Sequence, residues 1–256
     1  MLPAIEQALA NKYDGSTANA HQQIIDTLSW RLRFQDIQSD VRSAFRRIDK
    51  FTFLIPLWDY LDHHPKLKPI DIVENVKSGI KEEQVIIWSD GTSTINTTDT
   101  YLMIRMVDAG VSDDSNLRKR ALVVGSGSGY VPAILERLGF SEIIGIELIP
   151  ELADMSRQSL TTLGYSRSTI LVGNAAEVIE GRGEFDTILV FASLGDFQFV
   201  DLFRSHLANG GQMVAPIGPP DRGILTQITR VGAVSMEYTS RRLADVAFTP
   251  FIGPEE

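Results

Sequence analysis

Three glycines at alternate positions, 125, 127 and 129, separate two apolar runs, Ala121-Leu122-Val123-Val124 and Ile143-Ile144-Gly145-Ile146, and the second run ends in an acidic residue, Glu147. A strand, a glycine turn, a helix and a strand ending in a carboxylate make half of a site for an adenosine ribose. Glycine is needed in the turn because the backbone must take conformations that a Cβ forbids and must let a ligand approach closely. The carboxylate is needed because two vicinal hydroxyls are donors seeking one bidentate acceptor.

Spacing decides which nucleoside cofactor is meant. A dinucleotide fingerprint has its third glycine where this chain has Tyr130. Glycines at 125, 127 and 129 instead follow the S-adenosylmethionine pattern, so the expected cofactor is S-adenosyl-L-methionine and its product S-adenosyl-L-homocysteine. No Lys or Arg lies between Gly125 and Glu136 to meet a pyrophosphate, and the Gly-Lys-Ser/Thr ending of a phosphate cradle is absent.

Composition sets the outer limits. With 256 residues, 43% apolar and 22% charged, the chain can build one substantial core with appendages. No apolar stretch approaches the roughly 20 residues that span a bilayer, and no basic segment followed by an apolar one opens the chain, so the expectation is a cytoplasmic protein without a membrane partner. Without cysteine there is no disulfide, thiolate metal site or cysteine nucleophile. The four histidines are scattered, and no metal is expected. A net charge of −9 makes a nucleic-acid partner a poor first choice. The basic cluster Arg118-Lys119-Arg120 reads as the solvated start of the first strand.

From Leu117 onward strands and helices alternate. Ala121 to Val124 and Ile143 to Ile146 are followed by Ile170 to Val172 and by the nearly all-apolar Thr187-Ile188-Leu189-Val190-Phe191, of the kind buried on both faces of a parallel sheet. Helices are expected after the glycine turn as far as Gly139, from Pro150 to Leu163, and from Phe197 to Leu207. Gly210-Gly211 is expected to turn the chain into a strand over Gln212 to Ala215, and Ile224 to Arg230 with Asp245 to Pro250 to close the sheet antiparallel. The fold expected is a Rossmann-like α/β domain over residues 111–256, a doubly wound, mostly parallel seven-stranded sheet with an antiparallel edge and its ligand crevice beyond the carboxyl ends of the strands.

Residues 1–110 read as a helical lid region. Ile24 to Phe34 and Val41 to Ile48 have helical spacing, and 54 to 90 is irregular with three prolines. The segment Asp90 to Tyr101 is rich in small hydroxyl side chains ahead of an amphipathic run, Leu102 to Val107, which Thr98 or Asp99 would cap. Such a loop also suits an anionic group.

Several motifs in order resemble the protein-L-isoaspartate O-methyltransferase family. Val41 to Pro56 is similar to the family's early helix and its Phe-Val-Pro, and Gly125-Ser126-Gly127-Ser128-Gly129-Tyr130 to its Gly-Thr-Gly-Ser-Gly-Tyr. Phe185 to Val190 and Asn209 to Gly218 resemble its fourth and fifth strand motifs, and Val246 to Gly253 its carboxy-terminal Val-Arg-Phe-Val-Pro-Leu-x-Gly. The resemblance implies a class I S-adenosylmethionine-dependent methyltransferase that esterifies an isoaspartyl or aspartyl carboxylate of a protein or peptide, the ester collapsing to a succinimide. It further implies cofactor contacts at Gly125, Ser126, Gly127, Glu147, Leu148 and Asn174, orientation of the reacting carboxylate by Ser93, Thr94 and Asn96, and a peptide path along Thr249, Pro250 and Phe251.

The departures concern the substrate more than the cofactor. The family's Thr-Ile-Ser-x-Pro loop is Thr94-Ile95-Asn96-Thr97-Thr98, its acidic residue in the first cofactor strand is Val123, its Asp-Gly after the third strand is Asn174-Ala175, and extra sequence lies between Pro56 and Asp90. Three functions follow: repair of isoaspartyl proteins, aspartyl methylation of one ribosomally made peptide, or cofactor binding without turnover. Amino methylation of nucleic acid is disfavoured, because Phe191-Ala192-Ser193-Leu194 lacks the Asn/Asp-Pro-Pro-aromatic grip for an exocyclic amine.

Overall fold

Apolar strands separated by amphipathic helices must bury two faces, and the carboxy-terminal part of the chain does so around one seven-stranded sheet. The computed structural model describes residues 22, 25–26, 36–50, 52–54, 86–89, 94–96, 98–232 and 236–254. The chain divides into two compact units, Met1–Arg105 and Met106–Glu256.

In the first unit, helix α1 (Ser39–Arg47) buries Val41, Ala44 and Phe45, the i, i+3, i+4 stripe expected of a helix with one apolar face. Most of the helix expected over 24–34 lies outside the described residues. Strands β1 (Ile86–Ser89) and β2 (Thr94–Asn96) pair antiparallel, Ile86 opposite Asn96 and Ser89 opposite Thr94. Helix α2 (Thr100–Gly110), whose residues from Met106 on belong to the second unit, starts where the Asp99 carboxylate accepts the Leu102 N–H at 2.8 Å, so Asp99 is the cap.

The second unit contains β3 (Arg120–Val124), α3 (Tyr130–Arg137), β4 (Glu142–Glu147), α4 (Pro150–Thr162), β5 (Ser168–Val172), α5 (Ala175–Val178), β6 (Phe185–Val190), α6 (Phe197–Ser205), β7 (Leu207–Ile217), β8 (Gly223–Arg230) and β9 (Tyr238–Val246). The strands lie in the order β5-β4-β3-β6-β7-β8-β9. Pairs from β5 through β7 are parallel, and β8 and β9 add antiparallel. This is the doubly wound sheet with an antiparallel edge. Ala121 to Val124 are buried at 3% exposure or less, as a strand covered on both faces requires. The order reverses at β3, whose neighbours are β4 and β6, so the crevice opens beyond the carboxyl end of β3.

Three local expectations change. Gly210-Gly211 makes no turn: it lies inside β7, where the register slips from Phe185–Leu207 to Thr187–Gln212. A Cβ on Gly211 would stand 2.8 Å from the carbonyl oxygens of Ala208 and Phe185, so the glycine serves close backbone packing in a bulge. The last strand is Tyr238–Val246 rather than Asp245 to Pro250, because a sheet edge is held by the backbone ladder and its side chains are mostly exposed and polar. Arg118 is buried at 8% exposure, donating to the Ser112 carbonyl at 2.8 Å, and Arg120 stacks over Phe185 and pairs with Glu142 at 2.7 Å. Arg118 and Arg120 thus staple the start of β3, while Lys119 between them is exposed as a solvated strand start requires.

Candidate functional site

The glycine turn after β3 is fastened to the tip of β4. The Gly125 and Ser126 N–H groups both donate to the Ile146 carbonyl, at 2.9 and 3.2 Å, and the Gly129 N–H closes the turn on the Ser126 carbonyl at 3.1 Å. Gly127 sits at φ +54 with open space where a Cβ would be, which leaves its backbone accessible.

Glu147, the last residue of β4, is 7% exposed. Its carboxylate accepts the Gly127 N–H at 2.9 Å on Oε2 and the Ile149 N–H at 3.1 Å on Oε1. Burial raises its pKa above 4.5, against the opposing pull of the Ile149, Gly127 and Leu148 amides. A carboxylate offers about four acceptor positions. One bond on each oxygen leaves each able to accept again, which suits a vicinal diol. Leu148 beside it is 44% exposed, a large apolar surface at the strand tips able to cover a planar ring.

Asn174 follows β5, and its amide bonds at both ends: Oδ1 accepts the Ala176 N–H at 3.0 Å, capping α5, and Nδ2 donates to the Ile252 carbonyl at 3.0 Å. Thr249, Pro250 and Phe251 dock on the loop after β6. The Ser193 N–H donates to the Thr249 carbonyl at 2.8 Å and the Phe251 N–H to the Ser193 carbonyl at 2.9 Å, a short parallel bridge. The Ser193 hydroxyl donates to the Gly218 carbonyl at 2.8 Å, tying in the end of β7. The Phe251 ring packs against Phe199 and Phe203 at 4.9 and 5.6 Å.

A sequence model of the family described as protein-L-isoaspartate(D-aspartate) O-methyltransferase matches residues 67–256. The chain belongs to that family. Among curated relatives, the protein-L-isoaspartate O-methyltransferase of Koribacter versatilis is 35% identical over 153 residues, 60% of this chain and 65% of the relative. The family member of Roseiflexus castenholzii is 31% identical over 69% of this chain and 76% of its own length. The chain thus spans somewhat less than two thirds of the Koribacter protein. Among solved structures, a Plasmodium falciparum protein bearing the same family name, crystallised with S-adenosyl-L-homocysteine, superposes with a TM-score of 0.66 at 20% identity, covering 91% of this chain and 99% of the other. That likeness establishes the fold.

Within the second unit the structure brings Gly125, Ser126, Gly127, Glu147 and Leu148 to the tips of β3 and β4, and bonds Asn174 to Ile252, the residue after the segment Thr249–Phe251. Val123, where the family has an acidic residue, is fully buried between Gly145 and Leu189 in the sheet. Thr94 and Asn96 are the first and last residues of β2, in the first unit, and Ser93 lies outside the described residues. The hairpin strand β1 went unread in the sequence, although Val85 to Trp88 is a β-rich run and Asp90-Gly91 a hairpin signal.

Two side chains that no local pattern marks also matter. Ser193 is one. Lys50 is the other: at 6% exposure its ammonium donates to the Thr98 carbonyl at 2.9 Å and the Thr100 hydroxyl at 3.1 Å, fixing the segment that follows β2. Lys50→Met is expected to leave that buried carbonyl short of a donor and to cost about 2 kcal/mol, read as a lowered thermal midpoint with Lys50→Arg losing less; a Met variant melting with the wild type would refute the clamp.

Proposed function

We propose that this chain is an S-adenosylmethionine-dependent carboxyl O-methyltransferase acting on L-isoaspartyl or aspartyl residues of proteins or peptides, with residues 1–110 supplying the substrate loop and residues 111–256 the cofactor domain. The observation that carries the reading is the buried carboxylate of Glu147, pinned by the Gly127 amide of the glycine turn and the Ile149 amide before α4 with acceptor capacity to spare, in a chain of this family. The residues fit the cofactor: Glu147 accepts the two ribose hydroxyls, Leu148 covers the adenine face, Asn174 offers its amide oxygen to the adenine amine, and the backbone of Gly125, Ser126 and Gly127 makes room for the rest. When bound, S-adenosyl-L-methionine supplies an electrophilic methyl group.

The demands on the remaining side chains are modest. A carboxylate is ionised at neutral pH, so no general base is needed to activate it. The chain must align the carboxylate oxygen with the methyl group and strip part of its water. Charge is cancelled as the ester forms, so a strongly cationic clamp would hold the ground state too well. Ser93, Thr94 and Asn96 are neutral donors of the required kind, and Thr249, Pro250 and Phe251 line the peptide path. The cytoplasm is the proposed location. Among the described residues no helix is long and apolar enough to cross a membrane.

Labelled S-adenosylmethionine incubated with matched peptides containing L-isoaspartate or aspartate separates the outcomes. Base-labile label in the isoaspartyl peptide supports repair; label in neither, with cofactor-dependent thermal stabilisation, favours a dedicated peptide or binding alone. The Thr94-Ile95-Asn96 sequence is what favours the dedicated peptide. Asn96→Ser is expected to raise isoaspartyl turnover several-fold, and unchanged turnover would show that this loop does not orient the carboxylate.

A further inference from the structure

The Asn174 side chain faces two partners of opposite kind, an amide N–H and a carbonyl oxygen, and this pair leaves one orientation of its amide group. The oxygen caps α5, as the carboxylate of the family's Asp would. The nitrogen does something that a carboxylate cannot do: it donates to the carbonyl of Ile252. Next to that carbonyl, Phe251 is bonded to Ser193 and packed on Phe199 and Phe203, and a Cβ on Gly253 would stand 2.6 Å from the Phe199 ring. The carboxy-terminal segment is therefore held at three points: the loop after β6, the aromatic face of α6 and the loop after β5. Two of these, the loop after the central strand β6 and helix α6, belong to the core of the sheet, where Val200 and Phe203 of α6 are buried with Ile188 and Val190 of β6. The third is the loop that is proposed to meet the adenine.

We infer that Asn174 is a positioning residue that couples the nucleoside site to the peptide path, so that an occupied nucleoside site holds Thr249–Phe251 in the docked conformation and favours peptide binding. The inference rests on the cofactor reading above. A ligand bond to the Asn174 amide oxygen orders the loop after β5, and the same amide group carries that order to Ile252 through its nitrogen. Coupling of this kind is reciprocal, so a bound peptide tightens nucleoside binding by the same factor. The replacement of the family's Asp by Asn is then the sequence change that creates the donor.

Hydrogen exchange tests this without turnover. The Phe251 and Ser193 amides, which donate to Ser193 and Thr249, report docking of the segment directly. In the wild-type chain, saturating S-adenosyl-L-homocysteine is expected to slow their exchange, and to tighten binding of a synthetic L-isoaspartyl peptide about fivefold by calorimetry. Asn174→Asp keeps the cap and the acceptor but loses the donor, and is expected to bring both effects close to a factor of one. Gly253→Ala, which forces the segment off Phe199 while sparing Asn174, is expected to lose the coupling in the same way. Full coupling in Asn174→Asp, or exchange in the wild type indifferent to the nucleoside, would overturn the inference. A wild-type chain that binds no S-adenosyl-L-homocysteine at all would instead remove the cofactor reading beneath it.

Discussion

Glu147→Ala is expected to raise the dissociation constant for S-adenosyl-L-homocysteine on the order of 100-fold, measured by calorimetry. Two hydrogen bonds from ribose hydroxyls to a charged acceptor are lost, together about 3 kcal/mol. The substitution also releases the Gly127 and Ile149 amides that the carboxylate holds. Unchanged affinity would refute the ribose assignment. The acid behaviour of the site follows from the same side chain. Burial raises the folded-state pKa of Glu147 above 4.5, so between 4.5 and the raised value the folded chain binds more protons than the unfolded one. The stability contributed by the protonated form is complete below 4.5 and is lost as pH rises through the raised value. Cofactor affinity runs the other way, because the ionised form accepts both hydroxyls. Affinity is expected to fall on acidification through the raised pKa, and Glu147→Gln to flatten that inflection while binding more weakly at neutral pH.

Gly129→Ala is expected to produce the largest loss of stability. The residue precedes α3 at φ +87, and a Cβ there would stand 2.6 Å from the Ser156 hydroxyl oxygen and 3.3 Å from Leu160. The left-handed backbone costs a side chain roughly 1–2 kcal/mol, and overpacking adds about 1–3. Together they lower the melting temperature by roughly 4–10 °C for a chain of this size. The Ser156 hydroxyl is buried and has no hydrogen-bond partner among the described residues. Ser156→Ala alone should therefore leave the melting temperature equal or slightly higher. In the Gly129→Ala background it should recover the packing part of the loss and not the backbone part. A simple sum of the two single effects would show that the hydroxyl is not what the new methyl group meets.

Much of the second unit was legible because its signals are local. Four consecutive buried apolar residues, 121 to 124, announce a strand covered on both faces, and Pro150 marks a helix start that the structure places at the same residue. The distance from Gly129 to Glu147 is the length of one helix and one strand, so turn and carboxylate had to meet at neighbouring strand tips. Less of the first unit was legible. The β1–β2 pairing joins a segment that reads as irregular to one that reads as a hydroxyl-rich turn, and only a partner strand distinguishes extended from turning backbone there.

The amino-acid order alone determined the parallel α/β sheet, the glycine turn, the acidic strand tip and the family, because each depends on residues a few positions apart whose backbone preferences and apolar spacing do not need a distant partner. Only the tertiary structure decided that Lys50 secures Thr98 and Thr100, that Ser193 receives Thr249 and Phe251, that Arg118 is buried, and that Asn174 reaches Ile252. Most of these contacts end on backbone carbonyls or amides far along the chain. Every residue type carries those groups, so no pattern of side chains can announce which of them will be used.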